Sequence, residues 1–131
     1  MTKLQNLKIK YGAIFQLGDH YIAYGNCQDI TLVAKLVGKH KIKAVVCDPP
    51  YGVAVAESKN NFRPLLKNKP IINDHLQTDE EYRTFTRDWI EAVKPHLERK
   101  NSLYIFGSDK MLFACRQGLL DVGGKFGQLL I

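Results

Sequence analysis

What most constrains the fold of this chain is a double change of hydrophobic period between residues 42 and 106. Ile42 to Cys47 is apolar and β-branched, which predicts a strand. A long polar, Pro-containing stretch follows from Gly52 to Gln77, of the kind that is functional or mobile inside a compact domain. Thr78-Asp79-Glu80-Glu81 then matches a capping box, in which Thr78 bonds the helix start and Glu81 reaches back to it. Tyr82, Phe85, Trp89, Val93 and Leu97 fall on one helical face that needs a sheet to pack on. Ser102 to Phe106 reads as a second strand, closed by Gly107. Strands alternating with amphipathic helices predict parallel β-α-β units and an α/β, three-layer sandwich of the Rossmann-like kind.

The flanks fit that plan. Ala13 to Leu17 and Tyr21 to Tyr24 surround Gly18-Asp19, turn chemistry between β-rich runs, so a hairpin is expected. Asp29 is placed to cap a helix through Ile30, Val33, Ala34 and Val37, with Gly38 as its stop. Ser108 or Asp109 is expected to cap a helix carrying Met111, Leu112, Cys115 and Leu119. Gly123-Gly124 reads as a turn, and Phe126 to Ile131 as the start of one more strand.

At 131 residues and 45% hydrophobic composition, the chain 1–131 is expected to be one domain or part of one. Nineteen Lys and Arg against thirteen Asp and Glu leave a net charge of +6, which suits a polyanionic partner. Cys27, Cys47 and Cys115 are odd in number and lack a C-x-x-C pairing, so neither a disulfide framework nor a metal site is suggested. The first residues lack the apolar core of a signal peptide, and no apolar run approaches the ~20 residues needed to span a bilayer. A soluble, cytoplasmic protein is the expectation.

Directly after the first apolar run stand Asp48-Pro49-Pro50-Tyr51-Gly52. In parallel α/β sheets ligands bind beyond the carboxyl ends of the strands, and Asp48 is at such an end. The exocyclic amine of adenine or cytosine is a poor nucleophile because its lone pair is delocalised into the ring. The Asp48 carboxylate and the Pro49 carbonyl are two acceptors for its two hydrogens, drawing the nitrogen toward tetrahedral geometry. Consecutive prolines fix φ and supply no backbone donor, so the loop keeps one shape and presents carbonyls. Tyr51 offers an aromatic face for a base turned out of the duplex, and Gly52 allows close approach. An ordinary rigid turn, with Tyr51 packed on the core, would use the same four residues.

Asp48-Pro49-Pro50-Tyr51-Gly52 resembles the catalytic motif of S-adenosylmethionine-dependent DNA amino methyltransferases, and the order of the other features is similar to the family's permuted β group. Gly25-Asn26, the helix from Asp29, the strand Ala44 to Cys47, Asn73-Asp74, the Tyr82/Phe85/Trp89 helix and Leu103 to Gly107 carry that likeness across nearly the whole chain. The five-residue core is its only highly specific part. The resemblance implies site-specific DNA methylation, as in restriction-modification, on a flipped adenine more than on cytosine. It assigns Asp48, Pro49, Pro50 and Tyr51 to catalysis, and Gly25, Asn26 and Asp48 to the cofactor. Asn26 departs from the family's Asp at that position, keeping a hydrogen-bonding side chain but losing the charge; a polar residue ending a strand explains it as well.

Further residues admit two readings each. Asn73, Asp74 and His75 lie where the family's loop closes over the target base, and a solvated loop before a helix explains them equally. Lys59, Arg63, Lys67 and Lys69 suit phosphate contacts or simple exposure. The family's Phe-x-Gly-x-Gly cofactor turn is absent; Gly123-Gly124-Lys125-Phe126-Gly127 reads as a helix-to-strand turn. The chain thus resembles the amino-terminal catalytic part of a methyltransferase, expected to bind cofactor weakly unless a second chain or a carboxyl-terminal half completes the pocket. A non-catalytic remnant or interaction module, and a methyltransferase acting on RNA or a protein amide, remain open.

Overall fold

A computed structural model describes residues 8–54 and 75–130 of the chain. Two strands, β1 (Ile14–Leu17) and β2 (His20–Ala23), form an antiparallel hairpin about the Gly18-Asp19 turn, with Phe15 opposite Ile22. The chain then enters α1 (Ile30–Val37). Asp29 caps it by accepting a 3.0 Å hydrogen bond from the Leu32 amide, and the Gly38 amide closes its far end on the Ala34 carbonyl. Within α1 only Leu32 is buried.

The central unit is β3 (Ile42–Cys47), α2 (Asp79–Val93) and β4 (Leu97–Ile105), with β3 and β4 parallel. The expected capping box closes the start of α2: the Glu81 amide donates to Thr78 Oγ1 at 3.3 Å, and the Thr78 amide donates to Glu81 Oε2 at 2.8 Å. Tyr82, Phe85, Trp89 and Ile90 of α2 are buried, and Val45 and Cys47 of β3 and Leu103 and Ile105 of β4 lean on their cluster. Burying a Phe or Trp in such a core is worth about 3–5 kcal/mol against truncation to Ala.

The last helix, α3 (Leu112–Asp121), lies against α2 at a closest approach set by Gly118. A methyl group on Gly118 would stand 2.6 Å from the Arg83 carbonyl oxygen and 2.8 Å from Thr86 Cβ, so only glycine permits this spacing. Arg83 locks the pair with two hydrogen bonds to Asp121, at 2.7 and 2.9 Å. Lys94 Nζ donates to the Val122 carbonyl at 2.7 Å and closes the far end.

The structure corrects four expectations. Leu97 does not extend the apolar face of α2: the helix ends at Val93, Lys94–His96 form a 3-10 turn, and Leu97 opens β4. Pro95 is the reason, because inside an α-helix it would lack the amide donor and clash with the preceding turn. Correspondingly β4 starts before Ser102 and ends at Ile105. Neither Ser108 nor Asp109 is the N-cap of α3; the cap position is Met111, whose amide donates to Ser108 Oγ at 3.4 Å one turn earlier. Residues 124–130 are not a strand, although Gly123-Gly124 is the expected turn, with both amides donating to carbonyls of Leu120 and Leu119. An apolar run becomes a strand only with a ladder partner, and this one has none among the described residues.

Mixed α/β architecture is therefore established, with two two-stranded sheets among the described residues. Among them also, helices cover one face of the β3–β4 sheet only. Val46 (71% exposed), Tyr104 (54%) and Phe106 (57%) stand on the other. No helix of the described residues is long and apolar enough to cross a membrane.

Candidate active site

Asp48 follows Cys47 directly, so β3 delivers the carboxylate to the carboxyl end of the parallel pair. The last ladder pair, Cys47 with Ile105, is closed by the Phe106 amide, which donates to the Cys47 carbonyl at 2.9 Å just before Asp48. Asp48 is exposed, Pro49 is buried, and Pro50 and Tyr51 are half-buried. The buried Pro49 ring holds the loop down while the carboxylate next to it stays in solvent. Among the described residues no donor reaches the Pro49 carbonyl.

The loop is clamped at its far end too. Gly52 adopts φ +64 and is buried. Its carbonyl accepts from the Gln77 amide at 3.1 Å, while a methyl group on it would lie 3.1 Å from Tyr82 Cδ2 and 3.3 Å from Gln77 Cβ. The five-residue motif thus spans between a β-ladder and the first turn of α2, with both ends fixed. Gln77 is an anchor that sequence reasoning missed. Its only signal is its place immediately before the Thr78 cap, since the pairing crosses a long loop.

Tyr51 has a second role. Its hydroxyl donates to Asp48 Oδ1 at 2.8 Å, and this hydrogen bond, with smaller contributions from burial and the negative charge, raises the Tyr51 pKa. The tyrosine therefore keeps its proton at neutral pH and fixes one carboxylate oxygen. Oδ2 of Asp48 takes no hydrogen bond among the described residues.

Cys47 lies beneath this site. Burial, followed by the neighbouring Cys27 and Cys115 thiols and Asp48, pushes its pKa up to about 11. Burial thus holds Cys47 as the neutral thiol at pH 7. Among the described residues no group of three His, Cys, Asp or Glu is placed to hold a metal ion.

Gly25 and Asn26 sit in the turn between β2 and α1, next to Cys27. Asn26 Oδ1 accepts from the Gln28 amide at 3.0 Å, the Asn26 amide donates to the Tyr11 hydroxyl at 3.3 Å, and that hydroxyl donates to Asp29 at 2.9 Å. Gly25 packs closely against the Leu32 side chain and the Tyr11 ring. The Asn26 amide and Oδ1 thus hold the turn, on which Gly25 and Asn26 both stay exposed. His75 is exposed, whereas Asn73, Asp74, Lys59, Arg63, Lys67 and Lys69 lie outside the described residues. No protein-family model matches the chain.

Proposed function

We propose that this chain carries the acceptor side of an S-adenosylmethionine-dependent amino methyltransferase acting on DNA, adenine in preference to cytosine. The observation that carries the reading is the exposed Asp48 carboxylate at the end of β3, on a proline-stiffened loop clamped by β4 and by the start of α2. One oxygen is already fixed by Tyr51, so the other is oriented for an incoming donor.

In this reading Asp48 Oδ2 accepts one hydrogen of the exocyclic amine and the Pro49 carbonyl accepts the other. Two acceptors held in place draw the nitrogen toward tetrahedral geometry and localise its lone pair, a gain of preorganisation rather than of new charge. Asp48 is also the group placed to hold the proton the amine gives up. Pro50 positions the loop, and the Tyr51 hydroxyl positions the carboxylate. The ring of Tyr51 remains available for stacking, which typically contributes about 1–3 kcal/mol per base. S-adenosylmethionine would supply the methyl group, and the residues described here act on the amine alone.

Transfer of tritium from S-adenosylmethionine at millimolar concentration, offered in parallel to duplex DNA, structured RNA and protein, tests the proposal. Label is expected in the adenines of DNA. Label in RNA or protein alone would overturn it.

A further inference from the structure

At the amino ends of β3 and β4, opposite to Asp48, basic residues from two distant parts of the chain meet. Lys39, His40, Lys41 and Lys43 form a run without an acid, and all four are exposed. The register sets Ile42 beside Leu97, and Lys41 Nζ donates to the Pro95 carbonyl at 3.0 Å, so this run lies against the turn that opens β4. From there to the next pair, Ala44 with Ser102, the chain takes two steps on β3 and five on β4. The surplus residues form a bulge, closed by Asn101 Nδ2, which donates to the Glu98 carbonyl at 2.7 Å across Arg99 and Lys100. Both of those basic residues are exposed. Lys39, Lys43, Arg99 and Lys100 enter no ion pair or side-chain hydrogen bond among the described residues. Within residues 35–47 and 94–104 the half-buried Glu98 is the single acid.

We infer that the amino end of the β3–β4 pair binds the phosphodiester backbone of a nucleic acid through Lys39, Lys41, Lys43, Arg99 and Lys100. Lys43 lies about 17 Å from Asp48 at the usual rise per strand residue, so this surface is separate from the acceptor loop. Asp48 takes no part in it, and binding here stands whether or not the chain methylates. Neutralising phosphates releases their condensed counterions, a gain that needs charge alone. No large apolar side chain is exposed within residues 35–45 or 94–103. Protein interfaces bury aromatic anchors and are poor in Lys, and stable attachment to a bilayer takes an apolar anchor beside the basic patch, so charge by itself fits the nucleic acid. Lys35, in the last turn of α1, is left to that helix, whose carboxyl end a cation stabilises. A bulge and a lysine also keep an edge strand from pairing with another copy. That role covers Lys43, Arg99 and Lys100 but not Lys39 and Lys41, which precede the ladder.

The test is fluorescence anisotropy of the whole protein against labelled duplex DNA and a labelled RNA hairpin, each over a salt series. Wild type is expected to bind, with an affinity that falls steeply as salt rises. Arg99→Gln/Lys100→Gln should make the slope of log affinity against log salt shallower by about two, and Lys39→Gln by about one. Lys10→Gln/Lys125→Gln removes the same charge from exposed positions elsewhere and should leave the slope unchanged, with circular dichroism confirming that every variant folds. Binding confined to DNA or to RNA upholds the surface and names the nucleic acid. Equal flattening by Lys10→Gln/Lys125→Gln would reduce the effect to net charge and overturn the surface. So would failure to bind either nucleic acid, tighter binding of polyglutamate, retention by phosphatidylserine vesicles alone, or an Arg99→Gln/Lys100→Gln effect confined to self-association in sedimentation.

Discussion

The two faces of the β3–β4 sheet differ in what their side chains do. On the covered face, Val45, Cys47, Leu103 and Ile105 lean on a buried cluster from α2 and α3. On the open face, Val46, Tyr104 and Phe106 meet solvent and lead to Asp48. Alternation along one pair of strands thus separates packed from solvent-facing side chains within a few ångströms. A residue and its immediate neighbour in sequence belong to different tasks, so substitutions one position apart are expected to have opposite consequences.

The largest effect is expected on the covered face. We predict that Trp89→Ala lowers the unfolding free energy by about 3–5 kcal/mol, measured by urea denaturation, because Trp89 is 4% exposed in the centre of the cluster. Trp89→Phe should cost much less, since the indole Nε1 has no hydrogen-bond partner among the described residues and its loss removes a buried unpaired donor. By contrast, Tyr104→Ser on the open face should change stability by no more than about 0.5 kcal/mol. An equal cost at both positions would break the comparison.

At the junction between the faces, Gly52→Ala should cost about 1–3 kcal/mol, because φ +64 strains any side chain and a methyl group meets Tyr82 at 3.1 Å. The same variant should lose DNA-dependent activity beyond its loss of stability, because the clamp at Gln77 loosens. A Gly52→Ala protein as stable and as active as wild type would show that the loop is not held from α2.

A smaller effect comes from the cap of α2. Hydrogen bonds from the Thr78 backbone and then its side chain hold the Glu81 carboxylate below its ordinary value of 4.5. A lowered acid contributes stability above its unfolded pKa and loses it as pH falls through the folded pKa. Thermal unfolding midpoints should therefore drop between about pH 5 and pH 3, and Thr78→Ala, which keeps the backbone donor and removes the side-chain one, should flatten that part of the profile only partly while costing about 1 kcal/mol at pH 7. An unchanged slope in Thr78→Ala would assign the acid sensitivity elsewhere, for example to Asp29 or Asp121, whose pKa values are also lowered.

What could be read from the sequence follows the range of the interactions. Asp29, Gly38, Thr78 and Glu81 mark helix ends through bonds spanning three or four residues, and the structure has them in those roles. The run Ile42–Cys47 is β3 to the residue. Leu97 misled because it continues the helical spacing of Val93, while Pro95 between them decides the outcome. Phe126 to Leu130 misled because a strand depends on a partner that local sequence does not reveal. Val46 is exposed, and nothing in the apolar run of β3 says which of its side chains the helices cover, since that is set by chain path. At the site, the placement of Asp48 directly after a strand was legible. The Tyr51 hydroxyl bond, the Gln77 anchor and the Phe106 position depend on rotamer, long-range pairing and register, none of which four adjacent letters encode.

The central claim is that Asp48 on the open face accepts a base amine. Its most direct measurement is methyl transfer to adenine in duplex DNA by wild type and by Asp48→Ala, each at millimolar S-adenosylmethionine, with urea unfolding run alongside. The account predicts that Asp48→Ala unfolds within about 0.5 kcal/mol of wild type, as an exposed position should, and loses transfer by at least about a hundredfold. Transfer retained in Asp48→Ala would contradict it.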